Sequence, residues 1–243
     1  MMIRAVTFDL WNTLIEEKDY TAIRIDVLAK ILRENGVSRT PEMLLEAYLG
    51  GAEHYRRMWE GRHRHFDLKD RLEHTLKIME IELPGEARRS LHREFSEAFN
   101  RDRPELMDGV TETLEALSGR FRLGIISDTG VTPGRIIREH LRKKGILDRF
   151  SSTIFSDEIG YTKPHRVAFE TALSQLGVEA SEAIHVGDLR RTDVAGAKAV
   201  GMTTVWVKNN DRAEETDAVP DYTVSNLSQV LEIDVIRPPK GRS

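Results

Sequence analysis

A chain of 243 residues, 40% of them apolar, makes one large domain or two small ones around a real core, which excludes wholesale disorder. Lys and Arg number 36 against 40 Asp and Glu, so the net charge of −4 and pI of about 6.1 argue against general binding of nucleic acid or anionic membrane. The absence of cysteine excludes disulfides, zinc–thiolate sites, iron–sulfur clusters and cysteine nucleophiles.

The chain opens Met1-Met2-Ile3-Arg4 with no secretory pattern behind it. Nowhere does an apolar run approach the ~18 residues that cross a membrane, so a soluble cytoplasmic protein is expected. Arg4–Asp9 has the length and β-branched content of a strand. Residues 15–103 then hold several helical stretches and no convincing strand. Ile23, Val27, Leu28, Ile31 and Leu32 recur at helical spacing. Thr40, Pro41 and Glu42 supply a cap, a first-turn proline and a dipole-matched acid. Leu83-Pro84-Gly85 precedes another helix running towards Phe99.

From Arg122 onwards, strands alternate with helices. The strands are read at Arg122–Ser127, Ser152–Ser156, Ala183–Gly187 and Thr203–Val207. The helices open after Thr132-Pro133, after Lys163-Pro164, and over Arg191–Val200. This rhythm predicts an α/β fold, a doubly wound, Rossmann-like parallel sheet with helices on both faces. The core domain is expected over residues 1–14 and 104–236, with an all-α domain inserted over 15–103. The polar tail 237–243 is expected to fray.

Ligands of such sheets bind beyond the carboxyl ends of the strands. The first strand ends in Asp9, followed by Trp11 and Thr13. The second ends in Ser127-Asp128, and the fourth in Gly187-Asp188, with Asp193 close behind. Lys163 lies between the third strand and its helix. Carboxylates on neighbouring strand ends can share a hard cation such as magnesium. A lysine and a hydroxyl beside them suit a phosphoryl group, and an aspartate can attack phosphorus.

Strand-Asp-x-x-x-Thr-Leu, strand-Ser, Lys-Pro and Gly-Asp-x-x-x-x-Asp, in this order, resemble the haloacid dehalogenase (HAD) superfamily. The resemblance covers residues 4–14 and about 104–208. It implies that Asp9 is a nucleophile, that Ser127 binds phosphoryl oxygens and that Lys163 stabilises the transition-state charge. It also implies a magnesium ion held by Asp9, Asp188 and the backbone carbonyl of Trp11, with Asp193 acting through a bound water or from behind. The long helical insertion after the first motif resembles the subgroup that carries a cap there. A Mg-dependent phosphohydrolase acting on a small phosphorylated metabolite through an aspartyl-phosphate is therefore expected.

One departure stands out. Phosphatases of this superfamily usually carry a second aspartate two residues after the nucleophile, where this chain has Trp11. Indole is only a donor and cannot exchange a proton at neutral pH, whereas positioned acid–base catalysis is worth about 10²–10⁴-fold. The chemistry must find another proton donor or a leaving group that needs none. Haloacid dehalogenases carry an aromatic residue at this place but lose the Gly-Asp motif, which is intact here. A 2-haloacid dehalogenase and a catalytically silent phospholigand-binding protein are the alternatives.

Thr13 reads as a turn cap or a site residue, and Asp128 as a loop-shaping or substrate-binding residue. His54–His65 carries four Arg and three His against one Glu. It reads either as a solvated helix face or as a surface that turns Arg56 and Trp59 towards an anionic substrate. It is too short, in too acidic a protein, for a nucleic-acid site. No motif of a P-loop, a dinucleotide fold or a serine hydrolase is present.

Overall fold

Ala5–Phe8 forms β1, with every side chain buried, as expected for a strand covered on both faces. The computed structural model describes residues 2–208 and 216–237, the side chains of 58–61 aside. β2 (Arg122–Ser127), β3 (Phe150–Phe155), β4 (Ala183–Gly187), β5 (Thr203–Val207) and β6 (Tyr222–Val224) follow. All pairings are parallel, in the order β3-β2-β1-β4-β5-β6. The chain steps outward from β1 to β3, then crosses to the other side of β1. That reversal is the topological switch point, where open parallel sheets bind ligands. Phe8 lies level with both Ile125 and Val186, so Asp9, Ser127 and Asp188 emerge side by side at one end.

Between β1 and β2 the chain makes α1 (Thr21–Glu34), α2 (Pro41–Arg62), α3 (Leu68–Ile78) and α4 (Gly85–Ser96), then a 3-10 turn over Glu97–Arg101. Thr40 accepts a hydrogen bond from the Met43 N–H (3.3 Å), and Asp67 caps α3 by accepting from the Lys69 N–H (2.9 Å). The apolar stripe Val27, Leu28, Ile31 and Leu32 packs against Leu44, Leu72, Leu76, Leu91 and Phe95 in a second core cluster, which Val131 from the loop after β2 also joins. At Gly51 a Cβ would meet Thr75 Oγ1 at 2.2 Å, so glycine is what lets α2 and α3 touch.

After α5 (Val110–Ser118) and β2 come α6 (Gly134–Lys143), β3 and the single turn α7 (Ser156–Ile159). α8 (Arg166–Leu176) precedes β4, and α9 (Ala195–Val200) follows it. Alternate side chains divide the sheet. Val6, Phe8, Ile125 and Val186 face α5 and α6, while Ala5, Ile126 and Ala183 face α8 and α9.

The expected elements differ from these in a few places. Ser156 starts α7 rather than ending β3. The helix expected over Arg191–Val200 begins one residue earlier, as a π-turn over Arg190–Val194. β6 is a short edge strand that the sequence reading omits. The tail expected to fray lies outside the described residues except for Arg237, whose N–H donates to the Ile233 carbonyl (2.8 Å). No helix among the described residues is long and apolar enough to cross a membrane.

Candidate active site

Asp9, Asp188 and Asp193 converge where β1 and β4 end. All three are buried, and each offers a carboxylate oxygen within 4.8 Å of the others'. Asp9 and Asp188 follow their strands directly, and the π-turn carries Asp193 back over β4. The Leu189 N–H donates to Asp193 Oδ2 (3.0 Å), and the Asp193 N–H to the Leu189 carbonyl (2.8 Å). Gly187 makes room for this fold-back, since a Cβ there would lie 2.3 Å from Asp193 Cγ.

Lys163 reaches the cluster from the loop before α8. Its ammonium donates to Asp9 Oδ1 and, at 2.6 Å, to Asp193 Oδ1, while 3% of the residue remains exposed. Its backbone N–H donates to Asp128 Oδ1 (3.0 Å). Burial pulls the Lys163 pKa down, but the carboxylates of Asp193, Asp9 and Asp128 outweigh it and keep the ammonium charged. Burial pushes Asp9 up, aided by the charges of Asp193 and Asp188 and opposed by Lys163. Asp193 pays the same burial penalty, yet Lys163 and His185 hold it down at about 2. Burial raises Asp128 to about 6 against the pull of Lys163.

Behind the cluster, His185 Nε2 lies 3.1 Å from Asp193 Oδ1, and its Nδ1 lies 2.9 Å from the Thr7 hydroxyl. A carboxylate only accepts, so Nε2 carries a proton, while the single Thr7 hydroxyl proton is within reach of both Nδ1 and the Ile184 carbonyl (3.2 Å). Burial lowers the His185 pKa. Thr7 and His185 were not expected in the site. The signal available was a polar residue at corresponding places in two otherwise apolar strands.

A cavity of about 250 Å³ opens onto Asp9, Asp128, Lys163 and Asp188. Trp11, Asn12, Glu17 and Tyr55 complete much of its wall. Trp11 packs edge-on against Phe99 (6.1 Å between centroids) and donates its indole N–H to the Asp128 carbonyl (3.1 Å). Ser127 is buried beside these residues, and its Oγ has no hydrogen-bond partner among them. A buried hydroxyl left without a partner is costly unless a ligand completes it.

The remaining expected residues lie elsewhere. Thr13 is buried and borders a separate cavity with Leu106 and Asn226. Arg56 is exposed and grips Glu53 with two nitrogens, each at 2.8 Å; it does not line the Asp9 cavity. Its neighbour Tyr55, one residue and about 100° earlier around α2, faces the cavity instead, and burial pushes its phenol pKa up. The expectation for Trp59 concerns a side chain outside the described residues.

Comparison with known proteins gives a consistent set of matches. A family model for haloacid dehalogenase-like hydrolases matches residues 3–201. A glyceraldehyde 3-phosphate phosphatase of Methanopyrus kandleri is 30% identical over 96% of this chain and 97% of its own. A pyrimidine 5′-nucleotidase of Escherichia coli is 30% identical over 57% of this chain, which spans 62% of that relative. Among solved structures, a HAD phosphatase from Thermococcus onnurineus has a TM-score of 0.69 at 27% identity, covering 95% of this chain and 97% of its own. A 2-haloacid dehalogenase from Pseudomonas syringae scores 0.70 at 26% identity with the same coverage.

Proposed function

The chain belongs to the haloacid dehalogenase-like hydrolases and is a phosphatase-type enzyme of that family; on that premise we propose that it hydrolyses a small phosphorylated metabolite with magnesium, through Asp9. The carrying observation is the cluster of three buried aspartates, two of them paired with the Lys163 ammonium, beside a cavity that Asp9, Asp188 and Lys163 line. Three carboxylates form a hard, oxygen-only donor set of the kind magnesium prefers. Asp9, Asp188 and the Trp11 carbonyl would hold the ion, with Asp193 beside them. When bound, the ion supplies positive charge to the phosphoryl oxygens.

Lys163 adds a fixed positive charge next to Asp9, and the Ser127 hydroxyl is ready to donate to a phosphoryl oxygen. An Asp9 oxygen attacks phosphorus and the P–O bond to the leaving group breaks; a leaving group of low pKa departs as its anion, and a poorer one takes its proton from water or a group that replaces the acid missing at Trp11. Water then attacks the aspartyl-phosphate, releasing phosphate and restoring Asp9. Residues 15–103 act as a cap over the core of 1–14 and 104–236. The substrate lies between them, and cap movement controls the entry of water. An alkyl halide brings no phosphate charge for such a cation to neutralise. The retained aspartate cluster therefore favours phosphoryl transfer over dehalogenation.

The test is phosphate release at pH 7 from acetyl phosphate, p-nitrophenyl phosphate and glycerol phosphate, with magnesium or with EDTA. Turnover is expected to need magnesium, and Asp9→Asn is expected to lower it by at least about 10³-fold. Activity on all three substrates means that another group replaces the acid missing at Trp11. Activity on the two good leaving groups alone means that none does. Failure to release phosphate, or metal-independent halide release from 2-haloacids, overturns the proposal.

A further inference from the structure

The turn between α2 and α3 docks on the segment that delivers Lys163. The Thr162 N–H donates to the His63 carbonyl (2.9 Å), and the His65 N–H donates to the Gly160 carbonyl (3.1 Å). These bonds flank an antiparallel bridge between Arg64 and Tyr161. The Arg64 guanidinium lies 4.6 Å over the Tyr161 ring, which stacks on His165 at 4.1 Å.

The His65 ring carries the contact further into the core. Its Nδ1 lies 3.1 Å from Ser156 Oγ. That hydroxyl accepts from the Thr129 N–H (3.0 Å) and lies 3.2 Å from Thr129 Oγ1. Ser156 and Thr129 are buried, at 1% and 3% exposure, so water cannot replace these bonds cheaply. Burial lowers the His65 pKa, against the charges of Asp157 and Asp67. A continuous polar chain thus runs from the helical segment to the loop that begins with Ser127 and Asp128.

We infer that His65 is a positioning residue: through Ser156 it fixes the Ser127–Gly130 loop, so the phosphoryl site is complete only while the helical segment is docked. This rests on the phosphatase reading above. The link is a buried hydrogen-bonded network with members on both sides of the cap–core contact, and such networks rigidify what they join. It differs from substrate contact, because His65 does not line the cavity around Asp9.

The test compares His65→Ala, His65→Asn, Ser156→Ala and the double Ala variant. Each is assayed for kcat and KM on p-nitrophenyl phosphate with magnesium, and for amide hydrogen exchange over residues 127–132. His65→Ala and Ser156→Ala are each expected to lower kcat about ten- to hundred-fold, the scale of a misplaced catalytic group, with KM little changed. Both should speed exchange in that peptide. His65→Asn keeps a polar atom close to the place of Nδ1 and should restore most of kcat. The double variant should be no worse than the poorer single one, since both break one link. Wild-type kcat in His65→Ala, no rescue by Asn, additive losses or unchanged exchange would each overturn the inference. Ser156→Ala breaks the link from the core side, so the test survives a poorly folding His65 variant. Faster exchange in a protein whose wild type shows no turnover supports the link and overturns the phosphatase reading instead.

Discussion

At Gly187 the backbone of β4 passes so close to Asp193 that any side chain must displace that carboxylate. A methyl group would meet the planar end of a residue fixed by Lys163, His185 and the Leu189 N–H. Gly187→Ala is therefore expected to cost about 1–3 kcal/mol by overpacking, measured by urea unfolding. It should also weaken magnesium binding about 10–100-fold, the usual effect of disturbing a metal's supporting contacts, measured by titration calorimetry. Unchanged affinity would show that Asp193 plays no part in holding the ion. In the sequence, Gly187-Asp188 is visible as a pair, but the reason for the glycine is not. It depends on a π-turn that folds Asp193 back over the strand, and no spacing rule announces such a turn.

At the scale of elements, the strands were legible because each is a short apolar run bounded by turn residues. β2, β4 and β5 have the ends that the sequence indicates. β6 was not legible, since three residues, Tyr222-Thr-Val, at a sheet edge give too little alternation to read. The same limit explains α2. Its basic face drew attention to Arg56, yet a helix turns by about 100° per residue, and only packing decides that Tyr55 faces the cavity. His140 on α6 shows another feature that packing alone creates. It is 2% exposed and meets Phe99 edge-on at 5.1 Å. Burial, with Lys144 and Arg103 nearby, lowers its pKa to about 4. The unfolded chain binds this proton near pH 6.5, while the folded chain resists it until about 4. The stability is therefore whole above about 6.5 and is lost as pH falls through that window, by at most about 3 kcal/mol. Urea unfolding at pH 7.5 and 4.5 checks this. The wild type should lose more stability on acidification than His140→Leu does, and equal losses would refute the assignment.

Across the whole molecule, the candidate metal cluster lies where the two halves of the sheet meet. Asp9 comes from β1, Asp188 from β4 and Asp193 from the turn after it, while Lys163 arrives from the loop between α7 and α8 that follows β3. Asp9 and Asp193 share the Lys163 ammonium, and the charges of Asp193 and Asp188 still bear on Asp9, so the folded chain carries repulsion that a divalent cation would relieve. The unfolded chain has no such site, because these residues are brought together only by the parallel register of β1 and β4. Binding free energy therefore appears as folding free energy. Magnesium at 100 times its dissociation constant contributes about 2.7 kcal/mol. For a chain of this size, each kcal/mol raises Tm by about 2–4 °C, so a rise of about 5–11 °C is expected. Differential scanning calorimetry with magnesium and with EDTA measures it. Asp188→Ala should remove the rise, because two carboxylates already engaged by Lys163 leave no comparable site. A wild-type chain indifferent to magnesium, or an Asp188→Ala chain that responds equally, would place the cation elsewhere and detach the phosphatase chemistry from the switch point of the sheet.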